Sequence, residues 1–136
     1  MMDYIMKNSD FAKMMKEHIK ELIGFFTSND VAFSLVANLE FVKFNPALPQ
    51  HITESLQDQP AILFELDGYT LSSIKLDDED FTFHAGFGDE MFASFVTIPY
   101  GAVIQILVSK NPLLTNFALY KSKDDKMARS RKAFKL

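Results

Sequence analysis

Residues 61–98 read AILFELDGYTLSSIKLDDEDFTFHAGFGDEMFASFVTI, and this stretch decides the fold class. Four segments rich in β-branched and aromatic residues (AILFEL, YTLSSIKL, FTFHAGF and MFASFVTI) are separated by turn signals at residues 67–68, 77–80 and 88–90. Short apolar runs between such turns are typical of strands. The stretch therefore predicts four strands in close succession.

The flanking segments complete the predicted fold. Over residues 11–26 apolar side chains recur at helical spacing, with Asp10 as the predicted N-cap. Residues 31–44 favour one long strand or two short ones, and residues 50–59 a short helix between prolines. Pro99 is predicted to begin a short helix or strand, and NFALY at 116–120 to form the last strand. We expect an α+β, mainly β domain, either a small sandwich or a partly open barrel with the N-terminal helix packed against it.

Charge is distributed unevenly along the chain. Residues 121–136 carry seven basic side chains and two acids, a net charge of +5, whereas residues 1–120 carry seven lysines and sixteen acids, a net charge of −9. Hydrophobic periodicity stops after Tyr120. We therefore expect one folded domain over residues 1–120 and a flexible basic tail over residues 121–136. An acidic body disfavours a general nucleic-acid surface, because Lys and Arg dominate phosphate binding.

Composition excludes several classes of protein. The chain has no cysteine, so it has no thiolate nucleophile, no disulfide and no cysteine-ligated zinc site. No run approaches the roughly 18 consecutive apolar residues of a membrane span, and the first ten residues do not resemble a signal peptide. We expect a cytoplasmic protein.

The sequence offers little for catalysis. His18, His51 and His84 lie more than thirty residues apart, without the close spacing of helical zinc ligands or the context of a catalytic triad. The acidic turn at residues 77–80 lacks the spacing of a calcium loop, and Gly86 with Gly88 lacks the rest of a phosphate loop. We expect neither an enzyme nor a bound metal or cofactor.

The central residues resemble a known family. A strand ILFEL that ends in a turn is followed by SIKL and an acidic turn, by an F-x-F-x-A-x-F-G strand, and by a strand that closes on Ile98-Pro99. In this order and spacing, residues 62–106 resemble the SspB family of ClpXP protease adaptors. With the first helix, the likeness extends loosely over residues 11–120.

The resemblance implies a Sm-like open barrel, a homodimer, and a groove that binds the ssrA degradation tag in extended form. The peptide-binding residues it implies are Asp67, Thr82, His84, Gly86, Phe87 and Gly88. It further implies a tail that docks on the N-terminal domain of ClpX through Arg129, Arg131, Lys132, Phe134 and Leu136. Asp67 is an acid where the family usually has small, polar or basic residues, and the tail is shorter than is common there.

Two other functions fit the same sequence features. A Sm-like RNA-binding module would have a similar barrel, although the acidic body and the lack of a basic-aromatic motif speak against it. A structural homodimer or assembly subunit would use the Phe-rich strands as an interface.

Overall fold

The computed structural model describes residues 1–120 and contains both helices and strands. The helices are α1 (Met2–Lys7), α2 (Ser9–Ser28), α3 (Gln50–Leu56) and α4 (Gly68–Ser72). The strands are β1 (Phe33–Asn38), β2 (Lys43–Asn45), β3 (Ala61–Leu66), β4 (Lys75–Leu76), β5 (Asp80–Phe87), β6 (Phe92–Pro99), β7 (Val103–Val108) and β8 (Asn111–Thr115). Two 3-10 turns, Leu39–Phe41 and Tyr100–Ala102, precede β2 and β7.

The strands form two antiparallel sheets of four strands each. The first sheet has the order β3-β1-β7-β8 and the second has the order β2-β6-β5-β4. The two sheets share no strand pairing among residues 1–120, so they do not close into a barrel. The predicted α+β, mainly β class with an N-terminal helix is therefore confirmed, and the arrangement is compatible with a small sandwich.

The core lies between the two sheets. Phe64 of the first sheet meets Phe83 of the second, with ring centroids 5.3 Å apart. Helix α2 covers the same core through Met15, Ile19, Ile23 and Phe26, all of which are buried. The ring of Phe26 stacks on Phe33 of β1. The helical spacing of these side chains places them on one face, which is why α2 packs as predicted.

Helix α2 starts earlier than its sequence pattern suggests. The predicted N-cap, Asp10, lies inside the helix, and Asn8 is the cap because its side chain accepts a hydrogen bond from the Phe11 N–H at 2.9 Å. The short helix α1 immediately before it was not predicted. Among residues 1–120, no helix is both long and apolar enough to cross a membrane.

Two strand predictions were wrong. Most of YTLSS forms α4 instead of a strand, and only Lys75–Leu76 pairs with β5. The last strand is β8 rather than NFALY, because Ser109 and Lys110 adopt positive φ angles and turn the chain tightly after β7. Strand β8 lies at a sheet edge, where Pro112 is tolerated although it has no N–H to donate. Residues 31–44 hold two short strands, β1 and β2, one of the two alternatives expected.

Tyr100 is expected to make the free energy of unfolding depend on pH in the alkaline range. Its ring is 1% exposed, and its hydroxyl donates a hydrogen bond to the Asp77 carbonyl oxygen at 2.8 Å. Burial, with smaller contributions from the carboxylates of Asp80, Asp77 and Asp78, raises the pKa of Tyr100 from 10.0 to about 12. The folded protein thus keeps this proton where the unfolded chain loses it, and the free energy of unfolding should fall from pH 10 to about pH 12.

Urea unfolding at a series of pH values checks this expectation. The wild type should lose more stability than Tyr100→Phe between pH 10 and about pH 12, since the variant has no phenol to ionise at this position. Comparing the two proteins removes the contribution of the other tyrosines and the lysines. Identical pH profiles would contradict the raised pKa.

Candidate functional site

Strand β5 holds most of the predicted peptide-binding residues. Its side chains alternate, so that Phe81 and Phe83 are buried while Thr82, His84 and Gly86 lie on the outer face of the second sheet. Thr82 bonds across to Thr97 of β6, with the two hydroxyl oxygens 3.0 Å apart.

Two further predicted residues, Phe87 and Gly88, lie away from that outer face. The Phe87 ring points inward, with its centroid 5.6 Å from that of Phe44 and 6.4 Å from that of Phe64. Gly88 turns the chain with a φ of 73°, and a Cβ there would lie 3.1 Å from Ile52 of α3. These two residues therefore border the space between the sheets.

Asp67 lies at the junction between the sheets. It ends β3 and occupies the N-cap position of α4, where its side chain makes no capping hydrogen bond. Two residues later, the Tyr69 hydroxyl lies 2.9 Å from Nδ1 of His84. Helix α4 thus brings this end of the first sheet beside β5.

The backbone of β5 is only partly paired on the side that faces away from β6. Strand β4 pairs there with Phe81 and Thr82 and no further, because β4 begins at Lys75, opposite Thr82. The next N–H on that side, from His84, is taken by Oγ of Ser73 at 2.9 Å. Because alternate residues of a strand direct their backbone groups to the same side, the N–H and C=O of Gly86 also point there. No strand within residues 1–120 pairs with Gly86 on that side.

We call this part of β5, residues 84–87 on the side away from β6, the β5 edge. Exposed apolar side chains surround it: Tyr69 is 68% exposed, Met91 70% and Phe95 52%. The Phe95 ring lies beside His84, with centroids 4.5 Å apart. The Met91 side chain occupies the outer face of Gly86, where a Cβ on that glycine would lie 2.8 Å from its methyl carbon. The β5 edge therefore combines free backbone groups with apolar surface.

Sequence reasoning missed Tyr69, Ser73, Met91 and Phe95 at this site. The outward position of Phe95 follows from the sequence pattern, because Phe95 lies between the inward residues Ser94 and Val96 on a strand whose side chains alternate. A large aromatic residue at an outward position is the signal that could have identified it. Tyr69 and Ser73 had no such signal, because their segment was interpreted as strand and forms α4.

The predicted unfoldase-docking residues lie outside the described part of the chain. They are Arg129, Arg131, Lys132, Phe134 and Leu136.

No protein-family model matches the chain, and no curated protein matches it either.

Proposed function

We propose that the protein is a non-enzymatic, cytoplasmic proteolytic adaptor that binds ssrA-type degradation tags in extended form at the β5 edge. The tail over residues 121–136 tethers the bound cargo to the ClpXP unfoldase-protease. The observation that carries the proposal is the unpaired backbone of Gly86, beyond the N-terminal end of β4. The resemblance of residues 62–106 to the SspB family supports it, and on that resemblance the two sheets form a Sm-like open barrel.

An extended peptide suits the β5 edge for a physical reason. A strand with free N–H and C=O groups binds a peptide by adding it to the sheet, where backbone hydrogen bonds give affinity and alternate side chains give specificity. Side chains on one side of such a peptide would meet His84 and Tyr69. Those on the other side would point towards Phe64 and Phe87, between the sheets. Gly86 has no side chain to obstruct the approach.

Asp67 is expected to influence which tags bind. Asp67 is the N-cap residue of α4, and Tyr69 of this helix contacts His84 of the β5 edge. A carboxylate near a peptide groove favours a cationic residue in the ligand and disfavours an acidic one. The tag preference is therefore expected to differ from that of relatives with a small or basic residue there.

Blocking the β5 edge should weaken peptide binding without unfolding the protein. Gly86→Pro removes the N–H that would donate to a peptide carbonyl, at an edge position where proline is tolerated. Its Cβ would also displace the flexible end of the Met91 side chain. His84→Trp and Thr82→Trp place bulk on the same strand. We expect the dissociation constant of a fluorescent ssrA-type peptide, measured by anisotropy, to rise about tenfold or more for Gly86→Pro and for the Trp variants.

Lys43→Trp is the matched control, because Lys43 is exposed on β2, at the opposite edge of the same sheet. It should leave the affinity unchanged. If Gly86→Pro and the double variant of Thr82 and His84 bind as tightly as the wild type, the groove is elsewhere. Tight, saturable binding of single-stranded RNA with none of the peptide would favour the RNA-binding module instead.

We also propose that the adaptor is a symmetric homodimer that uses the exposed side of α2. Met14 and Phe25 are 46% and 57% exposed, and their spacing of about three turns places them on one face of the helix. Sedimentation velocity should show a dimer in the wild type and a monomer after Met14→Glu with Phe25→Glu. A wild-type protein that is strictly monomeric at tens of micromolar would contradict the dimer.

A further inference from the structure

A cavity of about 340 Å³ lies between the N-terminal half of α2 and residues 116–120. Three lysines line it, Lys7, Lys13 and Lys16, together with one acid, Glu79. The first three come from α1 and α2, and Glu79 comes from the acidic turn before β5. The cavity is therefore basic, in a body whose net charge is −9.

Within residues 1–120, the lysines of this cavity form no ion pairs. Residues 1–120 contain seven lysines, and three of the seven meet here. The ion pair found among these residues joins Lys20 to Asp78 at 3.8 Å, and it involves none of the three. Lys16 lies over the ring of Tyr120, with Nζ 5.6 Å from the centroid. With three lysines and one carboxylate in its lining, the cavity has an excess of positive charge, and a bound anion would offset that excess.

The remaining walls of the cavity are largely apolar. Ala12, Ala118, Leu119 and the ring of Tyr120 contribute to them. Gly101 also lines the cavity, and a Cβ on it would collide with the Tyr120 ring and lie 3.0 Å from Cε of Lys16. Because Gly101 has no Cβ, Lys16 and Tyr120 can both pack against its backbone in the same wall of the cavity.

We propose that this cavity binds a small phosphate monoester whose organic part carries a flat aromatic ring. A phosphate monoester carries a charge of about −1.5 to −2 at neutral pH, which matches three lysines opposed by one glutamate. Lysine binds phosphate as a point charge. The organic part packs against Leu119 and Tyr120. The volume lies near the lower end of the roughly 300–1,000 Å³ of small-molecule sites, so the ligand is of metabolite size. This site goes beyond the proposed function, since the β5 edge shares none of its lining residues.

Titration of the full-length protein with adenosine monophosphate, inorganic phosphate and adenosine tests the proposal. Amide signals of Ala12 and Gly101 in ¹H–¹⁵N spectra report binding at the cavity. We expect adenosine monophosphate to shift them saturably, inorganic phosphate to shift the same signals with weaker affinity, and adenosine to bind more weakly than the monophosphate. Lys13→Ala with Lys16→Ala should weaken adenosine monophosphate binding about tenfold or more, since each lysine supplies a charge-assisted contact.

Lys43→Ala with Lys110→Ala removes the same charge outside the cavity and is the matched control. It should leave the affinity for adenosine monophosphate close to that of the wild type. Equal weakening by both pairs would show general charge attraction only and would overturn the site. So would adenosine binding as tightly as the monophosphate, or the absence of shifts with both phosphate compounds at millimolar concentration. Peptide binding should persist in Lys13→Ala with Lys16→Ala, so this result is separate from the test of the β5 edge.

Discussion

Replacing Phe83 with alanine is expected to lower the free energy of unfolding by about 3–5 kcal/mol. The ring is 1% exposed and lies between Phe64 of the other sheet and Phe81 of its own strand. Truncation removes the apolar contact that joins the two sheets and leaves a cavity that their backbones cannot fill. Small domains have about 5–15 kcal/mol of stability in total, so much of it depends on this one ring.

Phe95→Ala is the matched control for that loss. Phe95 is the same residue type on the neighbouring strand β6, but it lies on the outer face and is 52% exposed. Its replacement should cost less than about 1 kcal/mol. Urea unfolding followed by circular dichroism gives both values. Equal losses for the two variants would show that the space between the sheets is not the core.

Deleting residues 127–136 is expected to abolish stimulated degradation of ssrA-tagged substrate by ClpXP. The deleted segment lies outside residues 1–120, so folding and peptide binding should be unchanged. The segment MARSRKAFKL combines basic residues with Phe134 and Leu136, and a tail needed only for solubility has no use for large apolar groups. A tether converts two weak contacts into one stronger combined contact, so its loss removes delivery without weakening cargo binding.

Narrower substitutions separate the contributions of the tail. Phe134→Ala with Leu136→Ala should reproduce most of the loss, since these side chains are the proposed anchors. Arg129→Gln is the matched control, and it should mainly make delivery more sensitive to salt, because exposed charges speed the encounter and are screened. Degradation rates of a tagged fluorescent substrate report all these effects. A truncated protein that delivers cargo as well as the full chain would show that the tail serves only solubility.

The sequence predicted those elements whose signal is local. The alternation around Phe81 and Phe83 marked β5, and the helical spacing of Ile19 and Ile23 marked α2. The segment after the turn at residues 67–68 was predicted to be a strand, but most of it forms α4 and buries Leu71. That choice depends on the core beneath the helix, which local pattern does not encode.

The candidate site was predictable only in part. Thr82, His84 and Gly86 share a face because strand side chains alternate, and the same rule places Phe87 on the opposite face. The free backbone of Gly86 depends on where β4 begins and on Ser73 accepting the His84 N–H. Both are results of tertiary pairing between segments that are separate in sequence.

The central position of β1 in the first sheet has a consequence for synthesis on the ribosome. Leu35 pairs on one side with Phe64 and on the other with Ile106, near the far end of the described residues. The pairing of β1 with β7 therefore cannot form until β7 has emerged from the ribosome. Until then, the side chains of Phe33 and Leu35 are only partly buried. Contacts this distant in sequence slow folding to the order of milliseconds to seconds in β-rich domains. We therefore expect chaperones to protect the nascent chain until almost the whole domain has left the exit tunnel.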